Sequence, residues 1–204
     1  MDMKSQKSTL QNIVCVTNRR LCIGDFLTRI KEIASCKPKA IILREKDLDE
    51  SEYESLARDV MAICREANVL CILHNFVDTA IKLKADAIHM TFSALRIMTP
   101  EEKDHFQLIG ASCHSEEEAR KAESLGCSYI IAGHIFDTMS KKNLPSRGLE
   151  FFHGMIRSVD IPVYAIGGIN KDNIDSVMKA GASGVCMMSG PMQCADIKQY
   201  FGGF

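Results

Sequence analysis

The chain has 204 residues, 46% hydrophobic and 25% charged, with a formal net charge of -1 at pH 7, a make-up that suits one ordinary globular core. That balance gives no global field for nucleic acid or an anionic membrane surface, and no apolar run approaches the ~20 residues that span a bilayer. Residues 1–9 are polar and charged, unlike a signal peptide, so a cytoplasmic protein with one domain over residues 1–204 is expected.

Eight short apolar, β-branched runs follow in chain order, at residues 13–17, 40–44, 69–74, 87–90, 108–112, 129–133, 162–166 and 184–188. Each is apolar on both faces, which suits a parallel sheet covered on both sides. The segments between them carry helical spacing. Residues 51–67 place Leu56, Val60, Ile63 and Ala67 on one apolar face. Residues 115–125 open on Ser115-Glu116-Glu117-Glu118, a capping box with acidic residues in the first turn, and end before Gly126. Residues 170–180 repeat the pattern ahead of Gly181, and a short last helix is expected over 195–201. Apolar Phe201 and Phe204 beside it allow a homodimer. Eight such βα units predict a single (β/α)8 TIM barrel. A doubly wound open sheet ranks second, because no Gly-x-Gly-x-x-Gly follows the first run.

The nine cysteines are an odd number, with no CxxC or zinc-finger spacing. Cys15, Cys71, Cys113 and Cys186 fall inside the apolar runs, where a thiol acts as a small hydrophobe. Reduced thiols are expected.

In a barrel of this kind, chemistry sits at strand C-terminal ends and in the loops that follow. Those positions hold Thr17, Arg44, Lys46, His74, Asn75, His89, Ser112, His114, His134, Thr138, Lys141, Gly167, Gly168 and Ser189. Gly167-Gly168 after the seventh run and Ser189-Gly190 after the eighth allow backbone N–H groups to approach a phosphate. A phosphorylated small molecule is therefore the expected ligand, although such glycines also serve as plain tight turns. Residues 137–148 form a long loop with hydroxyl, cationic and breaker residues, the profile of a lid over an anion. Its Lys141-Lys142 pair also has a plainer reading, as a solvated surface pair. Four of the six histidines, His74, His89, His114 and His134, lie at strand ends. Histidine titrates near neutrality, and His114 is placed to act as a general acid or base. No His-x-His or His-Glu-x-x-His spacing points to a metal.

Several motifs, in this order and spacing, are similar to the thiamine phosphate synthase / TenI superfamily from Ile13 to about Gln193. They are Leu43-Arg44-Glu45-Lys46, Val77-Asp78-Thr79-Ala80, Ile88-His89-Met90, Ile109 to Ser115, Gly133 to Lys142, and Ala165 to Ile169. The resemblance implies a barrel in thiamine biosynthesis, with the glycine and serine loops holding a thiazole phosphate. It also implies one of two activities. The synthase joins a pyrimidine pyrophosphate to thiazole phosphate with magnesium, which prefers carboxylate oxygens and substrate phosphates. Its pattern carries Asn-Asp where this chain has His74-Asn75, an Asp in the loop that reads Thr91-Phe92-Ser93-Ala94, and Gln at Ile42. The TenI-type thiazole tautomerase, an isomerase, needs no metal and aromatises a carboxythiazole phosphate by histidine acid–base catalysis. The lost carboxylates and the run Gly133 to Thr138 with Arg147-Gly148 favour that branch.

On this reading His114 matches the family's catalytic histidine and shuttles the proton, with no cofactor. Arg44 and Lys46 anchor the substrate carboxylate, Gly168, Ser189 and Gly190 hold the phosphate, and His134, Thr138 and Lys141 line or cover the pocket. Two alternatives stay open: a magnesium-dependent thiamine phosphate synthase, and a non-catalytic protein that binds thiazole phosphates.

Overall fold

In the computed structural model, which describes residues 10–142 and 144–204, all eight expected strands form. The polar stretch read at residues 1–9, and Asn143 in the long loop, lie outside the described residues. The strands are β1 (Ile13–Val16), β2 (Ala40–Leu43), β3 (Leu70–His74) and β4 (Ala87–Thr91), then β5 (Leu108–Cys113), β6 (Tyr129–Gly133), β7 (Val163–Ile166) and β8 (Gly184–Met187). Their order is sequential and closes into a parallel (β/α)8 barrel. Closure rules out the open doubly wound sheet. Every residue of β1, β2, β6 and β8 is buried, which is why these runs are apolar on both faces.

Backbone contacts group the chain into two compact units. Asp86–Cys186 is one, and the described residues up to Ala85 together with Met187–Phe204 are the other. In the latter, α1 (Phe26–Ser35) starts at Asp25, whose carboxylate accepts from the Thr28 amide. Next, α2 (Glu50–Glu66) starts at a capping box between Asp49 and Glu52 and buries Tyr53, Ala57, Val60, Ile63 and Cys64. This stripe is rotated from the expected one, because Tyr53 must reach inward: its hydroxyl donates to the Leu43 carbonyl at 2.7 Å and accepts the His74 amide at 2.8 Å. Short helices α3 (Val77–Lys82), α9 (Ser189–Gln193) and α10 (Ile197–Gly202) complete this unit. Phe201 and Phe204 are buried around Tyr200, with ring centroids 5.4 and 5.3 Å away, so they offer no apolar face to a second copy.

The other unit holds α4 (Phe92–Leu95), α5 (Pro100–Lys103), α6 (Glu116–Ser124), α7 (Gly148–Arg157) and α8 (Ile174–Lys179). Ser115 caps α6 by accepting from Glu118 N, but the Glu118 carboxylate reaches past the cap residue to the His114 amide at 2.6 Å. Helix α8 is shorter than residues 170–180. Asn170 and Asn173 side chains accept the Asp172 and Asn170 amides, both at 2.8 Å, and hold those residues in a turn.

All nine cysteines are free thiols. No helix among the described residues is long and apolar enough to cross a membrane.

Candidate active site

In the unit Asp86–Cys186, His114 follows β5 and is exposed. Its Nδ1 lies 3.3 Å from the Gly133 carbonyl. A carbonyl only accepts, so Nδ1 carries the hydrogen and Nε2 keeps the lone pair. The ring is further fixed through its backbone, whose amide donates to Glu118 and whose carbonyl accepts from Arg147 Nη1. The Arg147 guanidinium also sits 4.7 Å over the Phe151 ring. Glu118 and Arg147 were not singled out as site residues; only the Arg147-Gly148 pair in the loop motif hinted at them.

His134 is the first residue after β6 and is 5% exposed. Its Nε2 faces the Leu144 carbonyl at 3.2 Å, while its Nδ1 is buried without a partner. The loop from Asp137 closes back on this strand end: Arg147 N donates to the His134 carbonyl and Gly148 N to that of Ile135. Thr138 caps a short turn over Met139–Lys141 by accepting from Ser140 N. Asp137, Thr138, Met139, Lys141, Lys142 and Leu144 line an open surface pocket of about 390 Å³. Expected binders Thr138 and Lys141 thus share one pocket.

Gly167 and Gly168 have φ of 101° and 67°, a region that side chains disfavour. A Cβ on Gly167 would collide with His134, and one on Gly168 with the backbone of Asp137 and Phe136. These glycines let the β7 turn nest against the β6 loop. His89, by contrast, is tied up inside: Nδ1 pairs with the Tyr129 hydroxyl at 3.1 Å and Nε2 with Ser112 Oγ at 2.9 Å. Gly110 makes room for that tyrosine ring.

The other unit organises Arg44 and Lys46 around a buried acid. Glu45, 2% exposed, accepts the Thr17 hydroxyl at 2.6 Å and the Arg19 amide at 3.0 Å. Burial pushes its carboxyl pKa up, against the lowering effect of Thr17 and Arg19. Arg44 is half-buried, and desolvation lowers its guanidinium pKa while Glu45 opposes this. A cation so placed gains from an incoming anion. Lys46 is exposed. Ser189 is exposed at the start of α9, and a Cβ on Gly190 would strike the Tyr200 hydroxyl. Gly190 is thus required for packing whatever its role in binding.

The loop positions that the synthase pattern fills with carboxylates for magnesium hold none in this chain. His74-Asn75 and Thr91 to Ala94 contribute no carboxylate, and the buried carboxylate of Glu45 is committed to Thr17 and Arg19. Among the described residues, no group of three or more His, Cys, Asp or Glu is arranged to hold a metal ion.

Residues 13–190 match the family model described as thiamine monophosphate synthase. The chain is 37% identical over 202 residues to the thiamine-phosphate synthase of Fusobacterium nucleatum subsp. nucleatum, covering 98% of this chain and 95% of that protein. It is 33% identical over 184 residues to the thiamine-phosphate synthase of Pyrococcus furiosus, covering 90% and 88%. A solved thiamine phosphate pyrophosphorylase from Pyrococcus furiosus superposes with a TM-score of 0.81 at 30% identity, covering 96% of this chain and 94% of that one. These findings overturn the expected tautomerase and its isomerase class. That choice weighed a few loop positions, Asn75, Ala94 and the run after Gly133, above likeness spread along the whole barrel, and the proteins that share that likeness are synthases. The chain belongs to the thiamine monophosphate synthase family.

Proposed function

We propose that this protein is a transferase that makes thiamine phosphate from a pyrimidine pyrophosphate and a thiazole phosphate. The observation that carries the reading is 37% identity along 98% of the chain to a thiamine-phosphate synthase. In the reaction, the thiazole nitrogen bonds to the pyrimidine's exocyclic methylene carbon as the bond from that carbon to pyrophosphate oxygen breaks. Negative charge grows on the departing pyrophosphate, and groups that meet it there lower the barrier.

Arg44 and Lys46 are the cations proposed to meet phosphoryl oxygens in their unit, with Ser189 and Gly190 as further phosphate contacts. Arg44 suits the task because its charge is partly desolvated before the anion arrives. In the other unit, Lys141 and Thr138 line the loop pocket and Gly168 offers backbone beside it. His114 presents Nε2 to substrate as a contact group. No step is routed through a metal.

The test is direct assay of thiamine phosphate and of pyrophosphate release, with magnesium and with EDTA. Equal amounts of both products support the transferase. A folded protein that binds thiazole phosphate but forms no thiamine phosphate in either condition would be a binding protein instead.

A further inference from the structure

The run Arg44-Glu45-Lys46-Asp47 after β2 sets two acids beside the two cations proposed to meet phosphoryl oxygens. Acids so close are rivals for those cations, because a carboxylate offers a guanidinium the same paired oxygens as a phosphoryl group. The fold commits both acids to another residue. Arg19 donates its backbone amide to the two oxygens of Glu45, each at 3.0 Å, and its Nη1 donates to Asp47 Oδ2 at 2.6 Å. That same Nη1 lies 3.8 Å from Glu45 Oε2. Arg20 adds a contact to Asp47, from Nη2 to Oδ2 at 2.9 Å. Among the described residues, no carboxylate forms an ion pair with the Arg44 guanidinium.

Arg19 reaches these acids because of where the chain places it. β1 pairs in parallel with β2, Val16 beside Ile42, so the loops after both strands leave the same end side by side. Arg19–Leu21 form a tight turn directly after β1, capped by the Asn18 side chain, which accepts the Arg20 amide at 3.2 Å. The hydrogen bond from Arg19 holds the Asp47 carboxyl below the usual carboxylate range, so Asp47 is a full anion at neutral pH. Arg20 is the weaker holder, since its side chain is 72% exposed against 32% for Arg19.

We propose that Arg19 is a positioning residue that keeps the Asp47 carboxylate from pairing with Arg44, leaving that guanidinium for the pyrophosphate group of the substrate. Its effect passes through Asp47 and not through contact with substrate. This rests on the thiamine phosphate reading and adds to it the residue that keeps the anion's binding partner available.

Calorimetric titration with inorganic pyrophosphate tests this on the wild-type chain, Arg19→Ala, Asp47→Asn and the double variant, with thiamine phosphate formation assayed on the same preparations. Arg19→Ala should bind pyrophosphate roughly two- to fivefold more weakly, the range of one exposed ion pair, and the loss should shrink in high salt. Asp47→Asn should bind at least as tightly as wild type. The double variant should recover wild-type affinity, since the competing charge is gone. Weaker binding by Asp47→Asn means that the pair only braces the loop and overturns the proposal, whether or not Arg19→Ala folds. A loss in Arg19→Ala that the added Asp47→Asn leaves uncorrected also overturns it, because Arg19 would then meet the anion itself. Wild-type affinity in an Arg19→Ala chain that makes thiamine phosphate removes this proposal alone. A wild type that binds no pyrophosphate and makes no thiamine phosphate removes it together with the reading beneath it.

Discussion

Glu45 accepts the Thr17 hydroxyl at 2.6 Å, and that hydroxyl oxygen in turn accepts the Arg44 amide at 2.9 Å. One buried acid therefore fixes the backbone that carries a proposed phosphate-binding cation. Glu45→Ala strands the Thr17 hydroxyl and the Arg19 amide and should cost about 1–3 kcal/mol of stability, measured by urea unfolding. Glu45→Gln keeps an acceptor and should cost less.

The same residue makes a pH prediction. Its carboxyl pKa is raised in the folded chain, chiefly by burial. The folded state therefore holds that proton more tightly than the unfolded state, whose glutamate titrates near ~4.3. Its contribution to stability is greatest below that value and declines as pH rises through the folded pKa. Unfolding curves across this range should show that slope in the wild type and lack it in Glu45→Gln. Parallel curves would contradict the raised pKa.

Arg44→Ala removes a half-buried guanidinium facing the proposed anion. Loss of a charge-assisted hydrogen bond of about 1.5–3 kcal/mol should lower kcat/KM for the pyrophosphate substrate roughly 10- to 100-fold. Arg44→Lys should recover only part of this, since an ammonium lacks the bidentate fork. Steady-state kinetics at fixed salt measures both.

His114 offers Nε2 while Gly133, Glu118 and Arg147 hold its ring and backbone. His114→Ala should lower kcat/KM about 2- to 10-fold, as for one net hydrogen bond, with the melting temperature nearly unchanged at this exposed site. An unaltered kcat/KM would remove His114 from the site.

Gly168 occupies φ of 67°, and a Cβ there meets the Asp137 carbonyl at 2.5 Å. Gly168→Ala should destabilise by about 1–3 kcal/mol from backbone conformation alone, and more from the collision. Thermal unfolding reads the loss as a lower Tm.

The strands were legible because burial on both faces writes itself as uninterrupted apolar runs, as in Ile13 to Val16 and Tyr129 to Gly133. Caps were partly legible: Ser115 does cap α6, yet Glu118 serves the His114 amide, one residue beyond the local pattern. Helix α8 was overdrawn because asparagine side chains compete with helical hydrogen bonds, which apolar spacing does not register. The contact between His89 and Tyr129 spans 40 residues of chain and has no local signature. Phe201 and Phe204 read as surface because a seven-residue segment hides the aromatic cluster that folds around Tyr200. The choice of activity failed differently: missing carboxylates describe metal binding, whereas the family is carried by the whole barrel.

The most direct measurement incubates the purified chain with aminopyrimidine pyrophosphate and thiazole phosphate, and follows thiamine phosphate by chromatography alongside pyrophosphate release. The account predicts both products in one-to-one ratio. Absence of thiamine phosphate from a folded chain that binds thiazole phosphate would contradict it.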